Sequence, residues 1–147
     1  MKNNKYRQEV DVPSILGYDG VINNDFEHEN LPISSVSDII AQQNSEVSWS
    51  YRLVNTENNS ATLISQLPGE GNRMHHHPDW NEWWYILKGS WKWEIEGEEF
   101  TIKQGDFVFI QKGKWHKITA TGNESAIRLA VSRADVPHVY NDSEDDL

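Results

Sequence analysis

Cysteine is missing altogether from these 147 residues. Its absence excludes disulfide bonds, thiolate metal ligation and a cysteine nucleophile. It also fits a reducing compartment, so a cytoplasmic location is expected. Basic residues are scarce: 13 lysines and arginines stand against 23 aspartates and glutamates, for a formal charge of −10. Phosphate recognition depends on basic patches, so no nucleic-acid partner is expected. Net charge argues against polyanions, not against a small acid held in a locally basic pocket. Part of the acidity is local, because Asn141-Asp-Ser-Glu-Asp-Asp-Leu147 reads as a solvated tail. No stretch approaches the ~20 apolar residues of a membrane helix, and the polar start of the chain lacks a signal-peptide core. No membrane partner is expected. Neither a Ser-His-Asp constellation nor a phosphate-cradling glycine loop is present.

What is there has the period of strands. A chain of this length suits one domain that buries about two thirds of its surface. Residues 1–46 are polar with short apolar pieces and read as an extension packed on the main body. Within them Ser35-Val-Ser-Asp38 resembles a capping box, opening a short helix through Val36, Ile39 and Ile40 that packs on the outside. From Val47 the period becomes two. Strands are expected around 49–53, 61–67, 82–87, 90–95, 99–102, 107–110, 115–119 and 126–132, with a histidine-bearing strand before Glu82. Many short strands separated by Gly and Asn turns indicate an all-β barrel or sandwich over residues 47–133. Residues 134–147 follow as a C-terminal segment ending in the acidic tail.

The chemistry concentrates on four residues. His75 and His77 are two apart, so on a strand they share a face, while His76 points the other way. By the same alternation Glu82 lies beside Trp84 and Ile86, and His116 beside Ile118 and Ala120. Three imidazoles and one carboxylate form a nitrogen and oxygen set suited to a divalent Fe, Mn, Ni, Zn or Cu ion. Four protein ligands in octahedral geometry leave two open positions, which is catalytic in form, since structural zinc sites are usually closed. His28 and His138 stand apart from this set and, with His76, are expected at the surface.

These residues also carry a family resemblance. Gly69-x5-His75-x-His77-x4-Glu82-x6-Gly89 resembles the first motif of the cupin superfamily at every defining position. Gly105-x5-Gln111-x-Gly113-x2-His116-x3-Ala120 is similar to the second, with Gln111 where proline is usual and Ala120 where asparagine is usual. The resemblance spans roughly residues 47–133. It implies a single cupin-type antiparallel β-barrel (a double-stranded β-helix, or jelly roll) with a short N-terminal helical extension. It also implies one divalent metal held by His75, His77, Glu82 and His116, and pairing of two copies through their sheets. It leaves the reaction open, because cupins host many chemistries.

Six of the seven tryptophans fall between Trp80 and Trp115. Trp91 and Trp93 share a face with Ile95 and read as core. Trp84 is expected as a pocket wall beside Glu82. Trp83, Tyr85 and Trp115 take the opposite face, where exposed aromatics suit a homodimer interface. Arg52, Arg73 and Arg128 are candidates for gripping a carboxylate, although exposure statistics make the surface the default for each. The favoured function is a metal-dependent enzyme on a small organic substrate, with Fe preferred and a mononuclear non-heme Fe(II)-type dioxygenase as the reaction class. Trp84, Arg52 and Arg128 are its expected pocket contacts. The reason is a three-nitrogen, one-oxygen set with open positions and no separate acid/base pair. A redox-inert isomerase or lyase and a non-catalytic ligand-binding barrel are the alternatives.

Overall fold

A computed structural model describes residues 6–24, 30–133 and 135–141. His28 and the acidic run after Asn141 lie outside the described residues. In chain order the elements are β1 (Tyr6–Glu9), α1 (Val12–Tyr18), β2 (Ile22–Asn24), α2 (Val36–Gln42), β3 (Trp49–Asn55), β4 (Ser60–Gln66) and β5 (Gly71–His75). They continue with β6 (Glu82–Lys88), β7 (Ser90–Ile95), β8 (Glu98–Lys103), β9 (Phe107–Ile110), β10 (His116–Thr121), β11 (Ala126–Ser132) and β12 (His138–Asn141). The expected strands all form, with ends shifted by a residue or two.

Two sheets make the body of the protein. One has four strands in the order β5-β10-β7-β8, the other six in the order β2-β3-β4-β11-β6-β9. All these pairings are antiparallel except β2 beside β3. A third, two-stranded ribbon joins β1 to β12. The fold is thus the all-β double-stranded β-helix, carrying two short helices. Among the described residues no helix is long and apolar enough to cross a membrane.

The inner face holds Trp84, Ile86, Trp91, Trp93, Val108, Ile110, Ile118 and Ala120, all nearly solvent-free. Trp91 and Trp93 are core, as their alternation implies. Gly71 allows β5 to lie close on β10, since a Cβ there would sit 1.9 Å from the Ile118 carbonyl oxygen. That approach, with a register shift between His116 and Ile118, brings His116 directly opposite His75.

The six-stranded sheet has a second apolar layer on its outer side. Trp49, Leu63 and Ile127 pack there against Ile39 of α2, flanked by Val36, Ile40, Tyr51, Leu53 and Leu129. The helix starts as its sequence suggests, with the Ser35 side chain accepting from the Asp38 N–H at 3.3 Å. The apolar parity of β3 therefore faces outward under α2, and its polar parity faces inward. Arg52 and Arg128, 4% and 2% exposed, line the interior. The surface default that exposure statistics set for arginine does not hold for these two expected pocket contacts: a helix covers the side that alternation assigned to the core.

Candidate metal centre

Both main sheets contribute to one cluster. His75 ends β5, His116 opens β10, and the two are register partners in the four-stranded sheet. Glu82 opens β6 in the other sheet, paired with Ile110 of β9. His77 follows β5, and its carbonyl accepts from the Gly113 N–H at 2.7 Å, tying the two histidine loops together. All four side chains are buried, between 1% and 8% exposed. Ring centroids stand 4.9 Å apart for His75 and His77, 4.3 Å for His75 and His116, and 5.2 Å for His77 and His116. The structure brings together all four residues that the sequence singled out.

Hydrogen bonds fix how each ring presents itself. A carbonyl oxygen can only accept, so each ring nitrogen facing one must carry a proton. Nδ1 of His75 donates to Arg73 O at 2.6 Å, that of His77 to Pro137 O at 3.0 Å, and that of His116 to Lys114 O at 2.8 Å. The Nε2 atoms are thereby directed inward as the available donors. This is the backbone support that metal-ligating imidazoles normally have. Nε2 of His116 is buried without a hydrogen-bond partner. An orphaned buried lone pair of this kind fits a cation better than it fits any protein group nearby.

Charge is set by burial and by one pair. Burial holds His75 well below the ordinary histidine value of 6.5, helped by the charges of His116, His138 and His77. Burial likewise pushes His116 down to about 3. For His77 burial pulls the same way but is overcome by the hydrogen bond to Glu82 and the charge of that carboxylate, so its value is raised. Burial would raise Glu82, yet the His77 bond and charge prevail and bring it to about 2. Oε1 of Glu82 sits 2.9 Å from His77 Nε2, and Oε2 accepts from Trp84 Nε1 at 2.6 Å. Both ring nitrogens of His77 face acceptors, which favours its protonated form, and its inward nitrogen stands where a metal ion would take the proton's place. The donor set fits a divalent ion.

A cavity of about 70 Å³ opens beside this cluster, with His75, Glu82 and Trp84 on its wall. Arg52 and Arg128 line it too. The Arg128 guanidinium lies 4.8 Å from the ring centroids of both Trp84 and Trp91. It donates to Gln66 Oε1 at 2.7 Å and to Asn72 Oδ1. Burial lowers it to about 10, so it stays charged at neutral pH. Arg73 is outside the cavity: it is half-buried, donates to Asp19 Oδ1 at 2.7 Å and stacks on Tyr18 and Tyr140.

Several site residues escaped the sequence reading. Val12, Ile15 and Leu16 of α1 form part of the cavity wall. Asp19, just past that helix, accepts from Asn72 and Arg73 of the histidine strand at 2.8 and 2.7 Å. A helix start at Asp11-Val-Pro13, followed by paired Ile15 and Leu16, was the available signal. His138 is the larger correction. Expected at the surface, it is half-buried, lines the cavity, and its ring lies 4.6 Å from that of His75 and 4.5 Å from that of His77. The donor atoms of His75, His77 and His138 all lie within 4.8 Å of one another. His76 does point away from the cluster, but it packs edge-on against Trp115 at 4.6 Å and is half-buried. Trp115 in turn meets Tyr6 of β1 at 5.8 Å, so it is occupied within the chain.

The Cupin domain family model matches residues 62–132, a stretch containing all four cluster residues named from the sequence. Over 76 residues the chain is 36% identical to the oxalate-binding protein of Thermotoga maritima, which covers 50% of this chain and 63% of that protein. Over 63 residues it is 32% identical to the tetracenomycin polyketide synthase protein TcmJ of Streptomyces glaucescens, covering 43% and 42%. The matched stretches thus span less than two thirds of either relative. In fold it is similar to a conserved Klebsiella pneumoniae protein with a double-stranded β-helix domain, at a TM-score of 0.61 and 20% identity. That alignment covers 72% of this chain and 92% of the other.

Proposed function

The chain belongs to the cupin superfamily, and from that premise we propose that it is a metal-dependent enzyme acting on a small organic acid. One divalent ion is held by His75, His77, Glu82 and His116. The observation that carries this reading is the packing of the three imidazole rings together with Glu82 against His77, with His116 Nε2 buried and partnerless. When bound, the ion would supply a Lewis-acid centre able to gather substrate and co-substrate on one site.

The chain's own residues define the rest. Trp84 donates to Glu82 Oε2 and so fixes the carboxylate's orientation. Arg128, buried and stacked between two indoles, supplies fixed positive charge to the cavity. Arg52, 4% exposed, adds a second cationic wall. A carboxylate is the group such walls favour, because in a dry cavity a buried anion needs paired, hydrogen-bonding cations. The apolar side chains of Val12, Ile15 and Leu16 would take the remainder of the substrate and keep water out. That the Thermotoga relative is an oxalate-binding protein supports the same substrate class.

The reaction class we favour is oxygen-dependent, with iron as the metal, because among the described residues Glu82 is the one carboxylate on the cavity wall. Purified protein should carry about one equivalent of iron. Oxygen uptake should follow addition of a small carboxylic acid and vanish in His77→Ala. Turnover in the absence of oxygen, with zinc, manganese or nickel in the site, would replace the dioxygenase with a redox-inert isomerase or lyase. Absence of metal even after reconstitution would overturn the enzyme reading and leave a ligand-binding barrel.

We also propose a homodimer in a cytoplasmic setting. Trp83, Tyr85, Phe107 and Phe109 form one exposed aromatic surface on β6 and β9, with Trp83 stacked on Phe107 at 5.3 Å. Burial of such a surface against a second copy is favourable. A monomer mass by sedimentation at micromolar concentration would overturn the dimer. The complete lack of cysteine supports a reducing compartment, which recovery from an exported fraction would contradict.

A further inference from the structure

We infer that His138, contributed by the C-terminal strand β12, is a fifth protein donor to the metal centre. This rests on the metal-dependent reading above and adds a ligand from outside both histidine motifs.

Three consecutive residues of the C-terminal segment engage the histidine strand. Pro137 O accepts from His77 Nδ1 at 3.0 Å, which sets the orientation of that ring. His138 stacks on His75, with centroids 4.6 Å apart and planes 21° apart, and meets His77 edge-on at 4.5 Å. Val139 exchanges both backbone hydrogen bonds with His76, at 3.1 and 2.9 Å. The backbone is therefore pinned on either side of His138, and its ring is delivered to the cluster rather than drifting near it.

The ring also presents the right atom. Nδ1 of His138 donates to Val136 O at 2.8 Å. This is the arrangement of His75, His77 and His116, each of which gives its Nδ1 proton to a backbone carbonyl and keeps Nε2 as its remaining donor. All four rings are thus held by the outer support that orients metal-bound imidazoles. The donors of His75, His77 and His138 lie within 4.8 Å of one another, a separation that one ion can bridge once the His138 ring turns out of its stack on His75, since an ion lies in the plane of each imidazole it binds. A histidine serving only to fill space would need neither the backbone pinning nor the shared tautomer. Four imidazoles and one carboxylate would leave a six-coordinate ion one exchangeable position, so a chelating substrate must displace a protein donor.

Cobalt(II) alone is the probe, added to metal-free full-length protein. A ligated imidazole with a protonated Nδ1 gives one exchangeable, hyperfine-shifted proton resonance. We expect four such resonances in the wild type; three would overturn the inference while leaving the four-residue site standing. Two variants give an independent readout. His138→Phe keeps the stack on His75, and His138→Gln keeps a polar group. Both should still bind one equivalent of cobalt, with affinity reduced about tenfold and with stronger visible absorption as the coordination number falls. Unchanged affinity and spectrum in both variants would overturn the inference. Failure of the wild type to take up cobalt would overturn this inference and the metal-dependent reading together. Melting of the metal-free variants near the wild-type temperature distinguishes loss of a ligand from loss of fold.

Discussion

Where α2 covers the six-stranded sheet both of its faces are buried, yet their chemistry is opposite. On the outer face Trp49, Leu63 and Ile127 lie under α2 and form an apolar layer. On the inner face Arg52, Thr62, Ala130 and Trp84 follow one another across the strands as register partners. Ile64 and Arg128 are partners on the adjoining rung, and Glu82 sits beyond Trp84. The outer layer stabilises by removing hydrocarbon from water, which asks little of side-chain direction. The inner wall buries charge and must satisfy it group by group: Arg128 with Gln66 and Asn72, Glu82 with His77 and Trp84. One face makes the sheet stable; the other spends some of that stability on a site.

Acidification should separate the faces most strongly. His75, His116 and His138 have folded values below their unfolded value of 6.5, the last two at about 3. Between those limits the unfolded chain binds more protons, so their contribution is complete above 6.5 and is lost as pH falls toward 3. Glu82, lowered from 4.5 to about 2, acts in the same direction over its own lower window. His77 opposes them: its raised value makes its contribution complete below 6.5 and lost as pH climbs through the folded value. Three rings outweigh one, so the metal-free protein should melt at progressively lower temperature from about pH 7 to 5. A flat profile over that range would contradict the buried neutral rings.

Leu63→Ala tests the outer face. Leu63 is fully buried, and truncation should cost about 3 kcal/mol in a denaturant titration. The acid profile should shift as a whole with unaltered slope, and the metal stoichiometry should not change. Altered metal content would mean that the two faces are coupled. Trp84→Phe is the matching change inside and has the smallest expected effect. It keeps an aromatic ring but removes the fused ring's volume and the 2.6 Å bond to Glu82. Metal affinity should fall about tenfold, or about 1.4 kcal/mol, with a modest loss of melting temperature in the metal-free form from the vacated core volume. Equal affinity in a competitive chelator titration would show that the bond does not orient the carboxylate.

Much of this was legible in the sequence. Alternation located the strands, the capping box located α2, and the spacing of His75, His77, Glu82 and His116 identified side chains that the fold does bring together. The failures have physical causes. Alternation reports that the two sides of a strand differ, not which side faces in. For Arg52 and Arg128, named as pocket contacts, parity by itself argues for the surface, because nothing local says that α2 covers the apolar side. His138 carries no local signal at all; it reaches the cluster through the pairing of β12 with β1 and its bridge to His76. Helix α1 spans only seven residues and buries two of them, Ile15 and Leu16, too few for a periodic pattern.

The ribbon of β1 and β12 bears on the order of assembly. Its register joins Tyr6 to Asn141 and Glu9 to His138, partners separated by nearly the whole described chain. Such pairing is the least local in the molecule and closes the largest loop, so it gains from every contact formed before it. The two main sheets can therefore bring His75, His77, Glu82 and His116 together while the side later covered by His138 is still open. An ion arriving during folding would find an uncovered basin, and the last strand to dock would close over it. Exchange of a bound ion in the finished protein would then be governed by how often that ribbon opens.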